Sequence, residues 1–205
     1  MSATARWAGS PVNEPSAARV ARALQLLDSV EVAQEDRDRS YIARHEAGHA
    51  VMSVELGVRV ELVTIEATPA HGFDGHCHVA LWPASVRAVQ PHEIAALEYS
   101  IMILLAGEMA ERLGAGSTVH AQHDRAMIEE RLRCYPIELH DDERKALLAW
   151  CEVHTMRRLR RAWPAVIAIA MELVVARTIT GDRVLTLYEA TLGSPPPIPQ
   201  PPGTC

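Results

Sequence analysis

The chain has 205 residues, of which 48% are apolar but only nine are aromatic, and its formal net charge is −6. This length suits one domain whose core is built mainly from Ala, Leu, Val, Ile and Met, a composition that favours helices. The acidic balance argues against a protein whose main partner is nucleic acid or an anionic membrane surface.

The two ends of the chain differ in composition from its middle. Residues 1–15 are rich in Ser, Ala, Pro and Gly and are predicted to be disordered. Residues 194–205, SPPPIPQPPGTC, are predicted to form an extended tail because proline cannot donate a backbone hydrogen bond. We therefore place a single domain at residues 16–193. No apolar run suits a secretory signal or a membrane span of about 20 residues, and the scattered cysteines suit a reducing compartment, which together predict a cytoplasmic protein.

In chain order, apolar residues at helical spacing between residues 20 and 30 predict a first amphipathic helix that fades into the charged run QEDRDR. A second helix is predicted over about residues 39–56, with Gly57 as its stop, and it carries HEAGH in its interior. Alternating residues in VRVELVTIEA and HCHVALW, on either side of the turn-forming GFDG, predict two strands that pair as a small hairpin or sheet.

A third helix is predicted from Pro91 through EIAALEYSIMILLAGEMAERL to Gly114 and Gly116, and it is apolar enough for the centre of a domain. The loop STVHAQ leads to a helix in HDRAMIEERLRC. Further helices are predicted over residues 141–161, in AVIAIAMELVVART after Trp163-Pro164, and in GDRVLTLYEATL. The predicted fold is therefore mainly α, of the α+β class, with a small sheet between the HEAGH helix and the long apolar helix.

The sequence HEAGH contains the residues for metal-dependent hydrolysis. His45 and His49 are four residues apart, so on a helix their imidazoles project from one face and can share a metal ion. Glu46 projects beside that face, where its carboxylate can reach a metal-bound water without ligating the metal. Zinc lowers the pKa of that water toward about 7 and polarises a scissile carbonyl. The pattern therefore predicts a zinc peptidase with Glu46 as its general base.

Gly48 is an unusual residue for the interior of this helix. Glycine costs about 1 kcal/mol relative to alanine inside a helix. Together with Ala47 and Ala50, it leaves room for another backbone segment to approach closely. A helix that merely exposed two histidines would not need that room.

A catalytic zinc site normally has three protein ligands and an open position for water, so a third ligand must come from elsewhere. The extended pattern HExxHxxGxxH is excluded, because Met52 and Glu55 occupy two positions that it requires for other residues. The richest remaining source is the segment VHAQHDRAMIEER, which offers His120, His123, Asp124 and Glu129. A second metal site formed by His71, His76, Cys77 and His78 is not expected, since on a strand His76 and His78 point to one face and Cys77 to the other.

HEAGHAV and the later LLAGEMAERLGAGSTVHAQHDRAMIEERL resemble the two signatures of the peptidase domain of FtsH-type ATP-dependent zinc metalloproteases, which has a helical, zincin-like fold. The likeness covers roughly residues 40–133. It implies that His45, His49 and Asp124 bind zinc and that Glu46 is the base. It also implies that the strand pair borders the cleft and pairs with an extended peptide. Where the family has Gly-Ala-Ser-Asn before its Asp, this chain has residues 120–123, HAQH, so the question of whether His120 or His123 replaces or supports the carboxylate stays open.

The chain has no GxxxxGK[ST] phosphate loop, so we expect an ATP-independent peptidase that acts on flexible or unfolded polypeptides. The hexameric rings of the family make a homo-oligomer, or a separate ATPase or adaptor partner, further expectations. One alternative is a non-proteolytic zinc-binding regulatory or interaction protein derived from the family. Another is hydrolysis of a small non-peptide amide. Intact Glu46 favours an enzyme, because a structural zinc site has no use for a base beside an open coordination position.

Overall fold

A computed structural model describes residues 34–67, 75–79, 91–115, 121–135 and 138–196. They form the helices α1 (Gln34–Glu55), α2 (Pro91–Ala115), α3 (Ala121–Arg133), α4 (Asp141–Arg161), α5 (Trp163–Ala176) and α6 (Gly181–Leu192), and the strands β1 (Val60–Thr64), β2 (His76–Val79) and β3 (Thr178–Thr180). The predicted mainly α fold with a small sheet is confirmed. The predictions for residues 1–33, including the first amphipathic helix, and for the tail beyond residue 196 lie outside the described residues.

Helix α1 begins at Gln34, earlier than the predicted start near residue 39. The charged run QEDRDR therefore belongs to α1. At the other end, Gly57 has a φ of 70°, the left-handed conformation that glycine adopts at low cost after a helix. The predicted stop is thus confirmed.

Helices α1 and α2 cross closely at the centre of the fold. A Cβ atom on Gly48 would lie 2.5 Å from the backbone oxygen of Ala106 and 2.7 Å from the Cβ of Ala110. The close backbone approach predicted for Gly48 is therefore confirmed, and its partner is α2. Around the crossing, the side chains of Met52, Ile101 and Leu105 are fully buried. This packing holds the HEAGH turn against the middle of α2.

The sheet is antiparallel, with the strand order β2-β1-β3. The predicted pairing of β1 with β2 is confirmed, and it places Val63 opposite Cys77. Strand β3, which pairs with the other edge of β1, was not predicted. It has only three residues and follows α5 after Arg177, whose φ is 67°. A strand this short carries too little alternation to be recognised in the sequence, so its extended conformation depends on its pairing with β1.

The C-terminal end of α1 is tied to the last helices through Glu55, whose side chain is almost completely buried. Its carboxylate accepts hydrogen bonds from the Arg161 guanidinium and the Tyr188 hydroxyl. Glu55 thus lies away from the HEAGH face and joins α1 to α4 and α6. In the part of the chain that the structure describes, none of the helices is both long and apolar enough to cross a bilayer.

Candidate metal centre

The structure brings His45, His49 and Asp124 together in the interior. The two histidines come from α1, while Asp124 comes from the first turn of α3, and all three side chains are buried. The Asp124 Oδ2 atom lies 2.9 Å from His45 Nε2 and 3.2 Å from His49 Nε2. Within the described ranges, no other group of three His, Cys, Asp or Glu residues has its ligand atoms so close to one another. The three predicted ligands therefore share one site.

The other nitrogen of each imidazole is held by a hydrogen bond. His49 Nδ1 lies 2.7 Å from the backbone oxygen of Ile103, which can only accept, so this nitrogen carries a proton. His45 Nδ1 lies 2.6 Å from Glu111 Oε1, and an ionised carboxylate likewise only accepts. In the neutral imidazoles, this arrangement leaves both Nε2 lone pairs directed toward Asp124. Metal-binding histidines are usually oriented in the same way, by a hydrogen bond from the ring nitrogen that does not bind the metal.

The donor atoms fit a zinc ion in kind and in spacing. Asp124 Oδ2 is buried, and as long as the two imidazoles are neutral, no hydrogen-bond donor of the described residues is aimed at it. An ion bound by tetrahedral ligands at about 2.0–2.1 Å places its ligand atoms about 3.3 Å apart. The two measured separations of 2.9 Å and 3.2 Å are close to that value. Two imidazoles and one carboxylate are also a ligand set that catalytic zinc sites use.

Gly107 of α2 forms the wall nearest to the histidines and was not predicted from the sequence. A Cβ atom at this position would lie 2.5 Å from His45 Nε2 and 2.6 Å from His49 Nε2. Any side chain other than hydrogen would therefore enter the space in which the two Nε2 atoms meet. The available signal was a glycine inside a helix that otherwise favours larger apolar residues.

Glu111 is a second residue of the site that was not predicted from the sequence. Its side chain is fully buried in α2 and contacts His45. The signal was an acidic residue within a strongly apolar helix, because a buried carboxylate requires a partner. Its carboxylate orients the His45 ring and makes the opposite nitrogen a stronger electron-pair donor.

Replacing Glu111 with Gln should lower zinc affinity by about 10- to 100-fold, as expected for loss of a carboxylate that supports a metal-binding histidine. Competition with a chromophoric chelator measures this change. Glu108→Gln is the matched control, since Glu108 is a similarly buried acid on the same helix but pairs with Arg112 and Arg125 instead. Equal losses of affinity in the two variants would contradict the role assigned to Glu111.

Glu46 lies beside the three ligands and is itself buried. Burial raises the pKa of its carboxyl group, and the neighbouring His49 and His45 offset part of that increase. A carboxylate whose pKa is raised toward neutrality is a better proton acceptor for hydrolysis near pH 7. Gly75, just before β2, packs against the Glu46 side chain: a Cβ atom on Gly75 would lie only 2.9 Å from Glu46 Oε1.

The histidines and Asp124 strongly perturb one another in the metal-free protein. Burial alone would lower the pKa of His45, but its contacts with Asp124 and Glu111 outweigh burial and raise the pKa to about 10. Burial alone would raise the pKa of Asp124, yet His49 and His45 hold it well below its usual range. The pKa of His49 is raised as well, against burial, mainly by Asp124. Metal-free protein therefore favours protonated imidazoles around an ionised Asp124.

The stability of the metal-free protein should consequently depend on pH in two directions. The Asp124 contribution is present above its unfolded pKa of about 3.9 and is lost as the pH falls through the lower folded value. The His45 contribution is fully present below its unfolded pKa of about 6.5 and is lost as the pH rises toward its folded pKa of about 10. Urea unfolding of chelator-treated protein should show greatest stability between about pH 4 and 6.5. A variant with Asp124→Asn should show a flatter profile, whereas an unchanged profile would contradict this coupling.

A cavity of about 370 Å³ opens beside the candidate ligands. Its walls come from α1, β2, α2 and α3, and its lining includes Glu46, Cys77, Ile103, His123 and Met127. His76 and His78 also line it and are more exposed than Cys77, in agreement with the alternation predicted for this strand. Burial raises the pKa of the Cys77 thiol well above its usual value, which keeps it protonated.

The alternative ligands have different positions. His123 is exposed at the cavity and is not one of the three converging residues. His120 lies outside the described residues. Glu129 is exposed on α3. Among the candidates that the structure describes, Asp124 is thus the one whose side chain reaches both imidazoles.

Comparison of the chain with models of known protein families finds no match, and comparison with curated protein sequences finds none either. A functional assignment therefore depends on the geometry of the site.

Proposed function

We propose that this protein is a zinc-dependent peptidase that hydrolyses peptide bonds in flexible or unfolded polypeptides without ATP. One observation carries the proposal. The side-chain ligand atoms of His45, His49 and Asp124 converge, with Glu46 beside them, at the wall of a cavity large enough for a peptide segment. A structural zinc site would instead be closed on all sides by protein ligands.

Each residue of the site has a role in this reaction. Zinc, when bound, supplies a water of lowered pKa and polarises the carbonyl of the scissile bond. Glu46 accepts the proton of the water and later delivers it to the leaving amine. Glu111 and the Ile103 carbonyl hold the two imidazoles in the orientation that binding requires. The edge strand β2 can add main-chain hydrogen bonds to an extended substrate along the cavity.

The direct test uses the full chain, stripped of metal by a chelator and then reloaded with one equivalent of zinc. The reloaded protein should cleave an unfolded casein-like substrate in the absence of nucleotide, and the stripped protein should not. Parallel assays with small non-peptide amides test the alternative substrate class. Zinc-saturated protein that cleaves neither kind of substrate would favour the non-proteolytic zinc-binding protein.

We also propose a cytoplasmic location, on the sequence features described above. Self-association, or action beside a separate ATPase or adaptor, is compatible with this function but is not required by the chemistry. Sedimentation of the zinc-loaded protein, with and without substrate, tests whether it assembles by itself.

A further inference from the structure

Helix α3 carries three arginines, and one of them differs from the others. Arg125 pairs with Glu108 and Glu152, and Arg133 pairs with Glu130. Arg131 is half-buried and lines the same cavity as the candidate ligands. Across the described residues, no carboxylate lies within 4.0 Å of its guanidinium. Arg131 therefore brings to the cavity a positive charge that no carboxylate of the described residues neutralises.

The position of Arg131 along α3 relates it to the site of cleavage. Asp124, Met127 and Arg131 are spaced by three and four residues, which places them on one face of the helix, and all three line the cavity. At about 1.5 Å per residue, Arg131 is about 10 Å from Asp124 along the helix axis. An extended peptide covers this distance in about three residues.

The wall between the two charged positions is apolar. Met127 lies there on α3, and Ile103 and Leu104 face the same cavity from α2. A substrate segment that runs from the candidate ligands toward Arg131 would thus place an apolar side chain first and meet a guanidinium next. Arginine binds a carboxylate through two parallel, charge-assisted hydrogen bonds, which an uncharged group cannot provide.

We infer that Arg131 is a specificity residue that binds a carboxylate of the substrate about three residues or fewer from the scissile bond. The inference rests on the proposed function, since it assigns the substrate class of the same site. The carboxylate can be the C-terminus of the substrate or the side chain of an Asp or Glu. The preferred substrate is therefore a flexible peptide with an apolar residue near the cleaved bond and a negative charge shortly beyond it.

The test compares wild type, Arg131→Gln and Arg131→Glu, with Arg133→Gln as the control because Arg133 lies on the same helix but pairs with Glu130. The substrates are zinc-peptidase test peptides of about ten residues, identical except for three changes. In the first change, a free C-terminus replaces a C-terminal amide. In the second, Glu replaces Gln at one position near the cleaved bond, with one peptide for each position. In the third, Lys replaces Gln at the same positions. Together these peptides separate the two sources of the carboxylate.

Wild type should favour one carboxylate-containing peptide about tenfold in kcat/KM, mostly through KM, as expected for one partly solvated charge-assisted contact. Arg131→Gln should lose this preference, Arg131→Glu should shift it toward the Lys peptide, and Arg133→Gln should retain it. A structural role of Arg131 would instead reduce kcat/KM equally for all peptides, and an unchanged preference in Arg131→Gln would overturn the inference.

Binding of the same fluorescently labelled peptides to zinc-loaded Glu46→Gln protein separates this inference from the proposed function. Binding that favours the carboxylate and disappears with Arg131→Gln supports the role of Arg131 even if wild type cleaves nothing. Cleavage by wild type without any carboxylate preference would leave the peptidase proposal intact and reject the role of Arg131.

Discussion

Replacing Glu46 with Gln is expected to leave the protein fully loaded with zinc and to lower its rate of peptide hydrolysis by about 100- to 10,000-fold. The amide has nearly the same shape as the carboxylate but cannot take a proton from water. Glu46 is not among the three converging ligand atoms, so its charge is not needed to hold the ion. Zinc content is measured by elemental analysis and hydrolysis by a fluorogenic peptide assay.

The control for this substitution is Glu129→Gln, an identical chemical change at an exposed position of α3. It should leave both zinc content and the rate of hydrolysis unchanged. Full activity in Glu46→Gln would exclude Glu46 as the base. Loss of zinc from the same variant would show that its carboxylate belongs to the ligand set, which the geometry does not indicate.

The second large effect concerns the ligands, because His49→Ala and Asp124→Asn should each lower zinc affinity by about 100- to 1,000-fold. Structural zinc sites bind with about 10–16 kcal/mol in total, so each of three or four ligands accounts for roughly 3–5 kcal/mol. Chelator competition gives the affinities, and circular dichroism of the metal-free proteins shows whether the helices remain.

His78→Ala and His123→Ala are the matched controls, since both histidines line the same cavity but do not belong to the converging group. Retained affinity in His123→Ala, together with loss in Asp124→Asn, would resolve which residue of α3 is the third ligand. The opposite pattern would assign the ligand to His123 and contradict the site described above.

Gly107→Ala tests the same site without removing any ligand. The added methyl group would lie about 2.5 Å from both Nε2 atoms and should displace the ion, although His45, His49 and Asp124 are all present. Normal zinc content in this variant would mean that the ion binds away from the α2 wall.

Much of the site follows from local sequence rules. A helical period alone places His45 and His49 on one face and Glu46 beside it, because residues four apart on a helix are neighbours whatever surrounds them. Gly48, together with Ala47 and Ala50, likewise indicated the close approach of another backbone segment. The choice of Asp124 was different, since the residues of its segment left four candidates open and only the resemblance to a known motif distinguished them.

What the tertiary structure decided lies between elements that are distant in sequence. The partner of His45 is Glu111, 66 residues away, and the partner of His49 is the carbonyl of Ile103, 54 residues away. No local periodicity encodes which buried acid meets which imidazole, or that Gly107 lies against both rings. Those pairings depend on the angle and register at which α1 crosses α2. Strand β3 was undetectable in the sequence for the same reason, since it depends on its partner strand. The sequence likewise could not show that Arg131 has no carboxylate partner among the described residues, because that depends on where the fold places those carboxylates.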